Sequence, residues 1–422
     1  MRALARMIRP LEIERSLDLA RKWLTEVSLH APSSGCGWPM VLGQEELVVW
    51  GGTVDGIRAL TALGVPPTSP LIVGALEWLG SQQEDEGGFT SCEIDYSSAE
   101  STAWVLITLG ELGMTTHESE IAERGMRYLV RCIDERSGSV QATPSDAGKP
   151  RTMSTALALW AISCHPERQS LQNLLIERLK TTQDPNTSGW GVSFSAVPNI
   201  ATTAQAVHAL CTAGVSREAE WLRNAADYLA AQQEENGGWK NGYDEWFISA
   251  RPRTPYRCLN YSSGWSLLAL SHFGHHEARH SCRRTVLHLL EVQRPDGSWL
   301  YEDSSPLPHI WCTSQVAIAL KRWRDLTAAV GSSPVGLARA GHDAVSDVLG
   351  RWGARLREFV LPMLLAWLVL RDCYDEVRNA LAQLIAWSGI DRDGIVTNLF
   401  STLTGWFLVL LFGWLIKTTK RR

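Results

Sequence analysis

A short turn returns along this chain at near-constant spacing. In QEDEGGF (Gln83 to Phe89), QEENGGW (Gln233 to Trp239) and QRPDGSW (Gln293 to Trp299) a Gln is followed six positions later by an aromatic ring, with Gly one or two places before it. A fourth copy, Gln183 to Trp190, is one residue longer, and the turns ending at Trp38 and Val140 keep the Gly but lose the Gln. The six turns end at positions 38, 89, 140, 190, 239 and 299, so the intervals are 51, 51, 50, 49 and 60 residues. A period of this size fits a unit of two helices with two connections.

The two helices of each unit differ in character. Before the turn, stretches such as SPLIVGALEWLGSQ from Ser69 and EAEWLRNAADYLAAQ from Glu218 are amphipathic, which predicts an outer position with one solvated face. After the turn, stretches such as SAESTAWVLITLGEL, IATTAQAVHALCTAG and IWCTSQVAIALKRW are small and apolar nearly all round, which predicts burial. Ser and Thr recur at the start of these inner helices, where a hydroxyl caps free backbone N–H groups, and a Gly often closes them. Six such pairs predict an all-α fold, an α6/α6 toroid with a central cavity open at one mouth.

The turns resemble the QW repeats of triterpene cyclases, and TSQVAIAL at Thr313 to Leu320 is similar to the last inner helix of squalene-hopene cyclases. The resemblance covers roughly residues 10 to 325 and implies a toroid of the terpenoid-cyclase and prenyltransferase superfamily. In that family the Gln and Trp staple helices together, so the motif names a fold and no substrate. A toroid thioester domain is excluded at SSGCGWPM, because Pro39 stands where that chemistry needs a Gln after Cys36.

Class II terpene cyclases begin by protonating an alkene or epoxide with the acid of a DxDD motif. No DxDD occurs here, and the nearest window is SAEST at Ser98 to Thr102, where Glu100 stands in place of the acidic cluster. Glu93 and Asp95 lie just upstream and are candidates to join Glu100 at the cavity mouth; the competing reading makes them solvated turn residues and Glu100 a helix N-terminal charge. Asp55 is a fourth acid candidate, since a charge inside an apolar helix is costly unless it is paired, with Arg58 as the nearest partner, or faces a wet cavity. Protein prenyltransferases hold zinc with an Asp, a Cys and a distant His. The nearest equivalents are Cys258, Asn260 and His309, and with Cys312 they leave Cys258, His309 and Cys312 as a zinc candidate without the Asp. His272, His275, His276 and His280 cluster beyond the fifth inner helix and read as a solvated turn.

The segment from Asp244 to Cys258 lengthens the last interval and reads as a long rim loop. Its Trp246, Arg251, Arg253, Tyr256 and Arg257 combine aromatics with fixed cations suited to an anionic or phosphate-bearing headgroup. A net charge of -5 with interspersed signs supplies no basic field, which excludes nucleic acid as a partner. Nine scattered cysteines without a CxxC pair argue against a disulfide framework.

The repeat stops after Trp323. The expected organisation is a toroid over 1–325, a Gly, Ser and Ala-rich connector over 326–355, and membrane-associated helices over 356–422. Residues 395–416 run 22 positions without a charge and end at KTTKRR, which predicts a transmembrane helix; the apolar run at 359–370 is its expected hairpin partner. The charged opening lacks a secretory signal, so the toroid is expected on the cytoplasmic side of the cell membrane. The loss of both catalytic signatures favours a membrane-anchored sensing or scaffold module for an isoprenoid, lipid or protein ligand. A divergent cyclase or prenyltransferase acting on a membrane-derived substrate is the alternative.

Overall fold

The computed structural model describes residues 10–31, 35–42, 47–90, 96–144, 150–165, 169–248, 255–301 and 307–331, with backbone only at 10, 169, 242–248, 255–260 and 329–331. Pro10–Ala329 form one compact unit. Within it twelve helices alternate between two layers. The outer layer holds α1 (Pro10–Glu26), α3 (Pro70–Ser81), α5 (Glu120–Arg131), α7 (Gln169–Thr181), α9 (Glu220–Ala231) and α11 (His276–Val292). The inner layer holds α2 (Trp50–Ala62), α4 (Ala99–Glu111), α6 (Thr152–Ser163), α8 (Ile200–Thr212), α10 (Ser262–Leu270) and α12 (Ile310–Gly331). The inner helices α2, α4, α6, α8 and α10 pack each on the next in that order, and each packs on the outer helix that follows it. Small residues allow that close approach: α8 is buried from Ala201 to Cys211 without a break.

The layers close on themselves. Val41 bridges His309, and the Ile310 N–H donates to the Met40 carbonyl at 3.1 Å, so the entry to the first inner helix pairs with the entry to the last. In the outer layer α1 packs on α11.

The repeated Gln explains how. Gln83 Nε2 donates to Gly87 O in its own turn at 2.8 Å and to Ile121 O at the start of α5 at 3.0 Å. Gln183 does the same to Ser188 O and Trp221 O at 2.7 and 2.9 Å, and Gln233 to Gly237 O and Ser281 O at 2.9 Å each. Gln293 reaches Gly297 O and, across the closure, Ser16 O of α1, both at 3.0 Å. Each amide therefore ties one outer helix to the next. Gly87 has φ +96°, and a Cβ there would lie 2.5 Å from the Arg124 carbonyl, so the turn requires Gly both for its conformation and for its approach to the neighbouring helix.

The ring residue of the turn faces the other way. The indole N–H of Trp190, Trp239 and Trp299 donates at 2.8 Å to the carbonyls of Leu179, Leu229 and Leu289 on the preceding outer helices. The backbone N–H of the same residues donates to Thr203, Ser263 and Thr313 hydroxyls at 2.9, 3.0 and 3.1 Å. This corrects the expected capping role of the inner-helix hydroxyls. Side chains of Ser98 and Asn199 cap α4 and α8, whereas α2, α6 and α10 have no side-chain cap, and the recurrent hydroxyl instead receives the turn.

The backbone adds detail to the expected organisation. The all-α reading omits four two-stranded antiparallel sheets: β1 (Leu29–His30) with β2 (Cys36–Gly37), β3 (Phe89–Thr90) with β4 (Ser97–Ser98), β5 (Ile133–Asp134) with β6 (Ser139–Val140), and β7 (Gly242–Ile248) with β8 (Pro255–Asn260). The last pair occupies most of the expected rim loop. The expected connector begins as helix, because α12 continues to Gly331. Among the described residues no helix is long and apolar enough to cross a membrane; the stretches 359–370 and 395–416 lie outside them.

Replacing Gln293 with Ala leaves the Ser16 and Gly297 carbonyls without this donor and is expected to lower unfolding stability by about 1–3 kcal/mol. Urea unfolding at constant m-value reads it; an unchanged midpoint would show that the closing staple contributes nothing.

Candidate functional site

The inner helices share a register. Counted from the hydroxyl residue of each (Thr53, Thr102, Thr155, Thr203, Ser263 and Thr313), positions two and five further on lie on one helix face. The first tier is Asp55, Trp104, Leu157, Gln205, Trp265 and Gln315, and the second is Arg58, Ile107, Trp160, His208, Leu268 and Ile318. Contacts across the ring place this face at the centre. Trp104 of α4 and Trp265 of α10, three inner helices apart, have ring centroids 6.0 Å apart, and Trp160 of α6 lies 5.7 Å from Trp104 and 6.3 Å from Trp265.

A buried cation sits in this aromatic cluster. The Arg58 guanidinium lies 5.0 Å from the Trp104 ring centroid and 4.7 Å from that of Trp160, and it makes a bidentate pair with Glu111 at 2.8 and 3.0 Å. Arg58 therefore does not form the expected pair with Asp55. A guanidinium satisfies planar bidentate geometry best, and Glu111 at the end of α4 offers it.

A second polar chain enters beside it. Arg322 donates through Nε to Ser271 Oγ at 2.8 Å and through Nη2 to His272 Nδ1 at 2.9 Å; His272 Nε2 lies 2.9 Å from His208 Nδ1. Arg donates only, so His272 Nδ1 accepts, its proton is on Nε2, and it donates to His208. Burial pushes His272 down to about 3 and His208 well below the usual imidazole range, with Arg322 opposing a positive charge on both. The two rings are neutral at physiological pH. His208 in turn packs edge-on against Trp160 at 4.5 Å. His272 thus departs from the solvated-turn reading. His275 bonds Asp227 at 3.0 Å, and His276 stacks parallel on His280.

Asp55 lies one turn before Arg58 on α2 and is partly accessible, although its helix is buried from Gly51 to Val54 and from Gly56 to Leu60. Burial raises its carboxyl to about 7, with Arg58 opposing the rise. At the start of α4, Glu100 Oε1 accepts from Ser154 Oγ at 2.6 Å and pairs with Arg151 Nη1 at 3.3 Å. Its neighbours Ala99 and Ser101 are buried, and the Ser101 hydroxyl bonds that of Ser98 at 2.8 Å. Glu93 and Asp95 lie outside the described residues.

The other candidates are distributed as follows. In the β7–β8 ribbon Trp246 registers with Arg257, Phe247 with Tyr256 and Asp244 with Cys258, while Arg251 and Arg253 lie outside the described residues. His309 Nδ1 accepts from the Trp311 indole at 3.1 Å, whereas the buried Cys312 thiol contacts the Leu300 carbonyl at 3.5 Å and is raised well above its usual range by burial. Among the described residues no three His, Cys, Asp or Glu side chains are grouped to hold a metal. Cys36 is buried with its thiol on Leu71 O at 3.2 Å. The central residues Arg58, Trp104, Trp160, His208, Trp265 and Arg322 escape motif reading, but the hydroxyl-anchored register identifies the common face of the first five from sequence.

The chain belongs to the squalene-hopene cyclase C-terminal domain family, whose model matches residues 43–160 and 145–307. A squalene–hopene cyclase of Bradyrhizobium diazoefficiens is 30% identical over 130 residues, 26% of this chain and 19% of that protein. A lanosterol synthase of Pneumocystis carinii is 25% identical over 152 residues, 35% of this chain and 21% of that one. The matched stretch thus spans about a fifth of the length of these curated relatives. Among solved structures, the apo type II terpene cyclase MstE from Scytonema superposes with a TM-score of 0.54 at 16% identity, covering 75% of this chain and 99% of that chain. An inactive variant of an alpha-1,6-mannanase from Salegentibacter gives a TM-score of 0.56 at 10% identity, covering 74% and 99%. These structural likenesses show a shared fold.

Asp55 gives stability a pH dependence of defined sign. Its folded-state value is about 7 and the ordinary value of an Asp carboxyl is 3.8, so between them the folded state holds the extra proton and stability falls as pH rises. Asp55→Asn removes this penalty. The variant is expected to gain on the order of 4 kcal/mol over the parent between pH 4 and pH 8, as measured by denaturant unfolding at both values; a pH-independent difference would contradict the assignment.

Proposed function

We propose that the ring binds an apolar ligand of the isoprenoid class in its lumen, as a recognition or scaffold module, without proton-initiated cyclisation. The observation that supports this reading is the state of Glu100. Its Oε1 is already engaged as an acceptor by Ser154 and Arg151, and neither adjacent residue brings a second carboxylate. Asp55 points the same way. Protonating an alkene calls for an unusually strong acid, and burial makes this carboxyl weaker than an ordinary one. The aromatic faces that would stabilise a carbocation hold the Arg58 guanidinium instead. Family membership and the aromatic lumen favour an isoprenoid ligand. So does the MstE variant structure in complex with geranylgeranyl dihydroxybenzoate, although that likeness is one of fold.

In this reading residues 395–416 anchor the chain to the membrane, with the ring on the cytoplasmic side, where a lipid or protein partner meets it. The membrane fraction is expected to retain the chain after a carbonate wash, and deletion of 395–422 is expected to release it; full extraction of the intact chain by carbonate would refute the anchor.

The functional test incubates the detergent-purified chain with squalene and with a geranylgeranyl arene, followed by native mass spectrometry and product analysis. Unmodified ligand bound one to one, equally well by Glu100→Gln, is the expected result. A cyclised product that disappears in Glu100→Gln or Asp55→Asn would establish the divergent cyclase instead.

A further inference from the structure

A run of side-chain hydrogen bonds ties the last inner helix to the two before it. Arg322 of α12 donates through Nε to the Ser271 hydroxyl at 2.8 Å and through Nη2 to His272 Nδ1 at 2.9 Å, and His272 Nε2 lies 2.9 Å from Nδ1 of His208 on α8. Ser271 and His272 directly follow α10, and the Ser271 hydroxyl gives its own proton to Leu268 O at 2.7 Å. Both imidazoles are buried. On its other side α12 is held separately, by Arg324 pairing with Glu14 of α1 at 2.7 Å.

Both imidazole acceptors in this run are in use. A guanidinium only donates, so His272 Nδ1 carries no proton, its Nε2 does, and His208 Nδ1 accepts. A further proton on His272 must take Nδ1, where it meets an Arg322 N–H; a further proton on His208 must take Nδ1, where it meets the His272 N–H. Either event turns a hydrogen bond into two opposed donors, and on His272 it also sets two cations together in a buried site. The run is therefore intact only while both rings are neutral.

The surroundings offer an imidazolium no relief. The charged groups acting on the two rings are Arg322, Arg217 between α8 and α9, and Arg58 of α2, and no carboxylate is among them. Helices α6 and α10 carry no titratable side chain. Carboxylates of the other neighbouring helices are committed elsewhere: Glu111 to Arg58, Asp227 of α9 to His275, and Asp325 of α12 to Lys321 and Arg324, while Glu220 of α9 is exposed. The Cys211 thiol, one turn after His208, is pushed up to about 12 by burial and stays neutral.

We propose that Arg322, His272 and His208 form a proton-sensitive latch: one proton taken up by the imidazole pair breaks it and frees α12 from α10 and α8. The latch does not depend on what the ring binds. Burial and Arg322 hold His272 down to about 3, whereas a released imidazole returns to its ordinary 6.5. The released state thus binds the extra proton, and opening is favoured as pH falls below 6.5.

Native-state hydrogen exchange of the full chain in detergent, read by mass spectrometry at pH 7.5 and pH 5.0 and corrected for intrinsic exchange, tests the latch. The opening constant of peptides covering 262–272 and 313–323 is expected to rise about thirtyfold over that interval from His272 alone. Peptides of α4 and α6 are expected to hold constant. The double variant His208→Asn with His272→Asn, whose amides accept a hydrogen bond near the Nδ1 positions but take up no proton, is expected to change by less than about threefold. An equal rise in all six units, or no rise over 262–272 and 313–323, would overturn the latch whether or not the variant folds. A full response in the folded double variant would overturn the assignment to these histidines.

Discussion

The structure depends on a side-chain amide that hydrogen-bonds two carbonyls at once. One carbonyl belongs to the turn that follows the Gln, and the other to the first turns of the next outer helix. Because each bond advances by one outer helix, a series of units defines a direction around a ring, and Gln293 bonding Ser16 brings the last outer helix to the first. The Gly of the turn is required by the same geometry, since a neighbouring helix backbone lies where a side chain would begin. The aromatic ring fixes the remaining freedom, with its indole on the preceding outer helix and its backbone N–H on the following inner one. Outer and inner layers are therefore joined at each such turn by backbone-directed hydrogen bonds that tolerate wide variation elsewhere in the unit.

Closing the ring forces six helix faces toward one axis, and that confinement produces the chemistry of the centre. Arg58 is 4% exposed, and a charge so placed needs partners. It has three: Glu111 in a bidentate pair and the faces of Trp104 and Trp160. Arg322 meets the same need differently, donating to Ser271 and into the His272–His208 pair, whose proton positions follow because a guanidinium cannot accept. Asp55 is left without a guanidinium of its own, and burial raises its carboxyl toward neutrality.

The same ring of helices occurs in a terpene cyclase and in a mannanase at 16% and 10% identity, which is a direct illustration that the scaffold does not set the reaction. What distinguishes one member from another is the set of side chains on the central face and at the helix entries. In this chain those positions hold an engaged carboxylate at Glu100, an enclosed carboxyl at Asp55 and a resident cation at Arg58. That combination departs from the acid cluster of the class II enzymes in the number of its carboxylates and in how each is partnered.

The sequence by itself determined the ring. A period near 50 residues, the Gln-to-ring spacing and the contrast between amphipathic and uniformly apolar helices are local patterns, and local patterns survive in one dimension because each describes contacts within a unit or with the next. The sequence also singled out Asp55 and Glu100, since a charge in an apolar stretch is visible without coordinates. The partners of those charges were decided by tertiary structure alone. Arg58 is three residues from Asp55 and 53 from Glu111, yet it pairs with Glu111, because adjacency on a helix surface is a weaker constraint than the bidentate geometry offered by a neighbouring helix. The β7–β8 ribbon is not legible in the sequence because its strand pairing joins residues across 249–254, whose sequence carries no hairpin signature. The contact of Trp104 with Trp265 is also invisible in sequence: only closure of the ring brings opposite inner helices face to face, and closure is a property of all six units together.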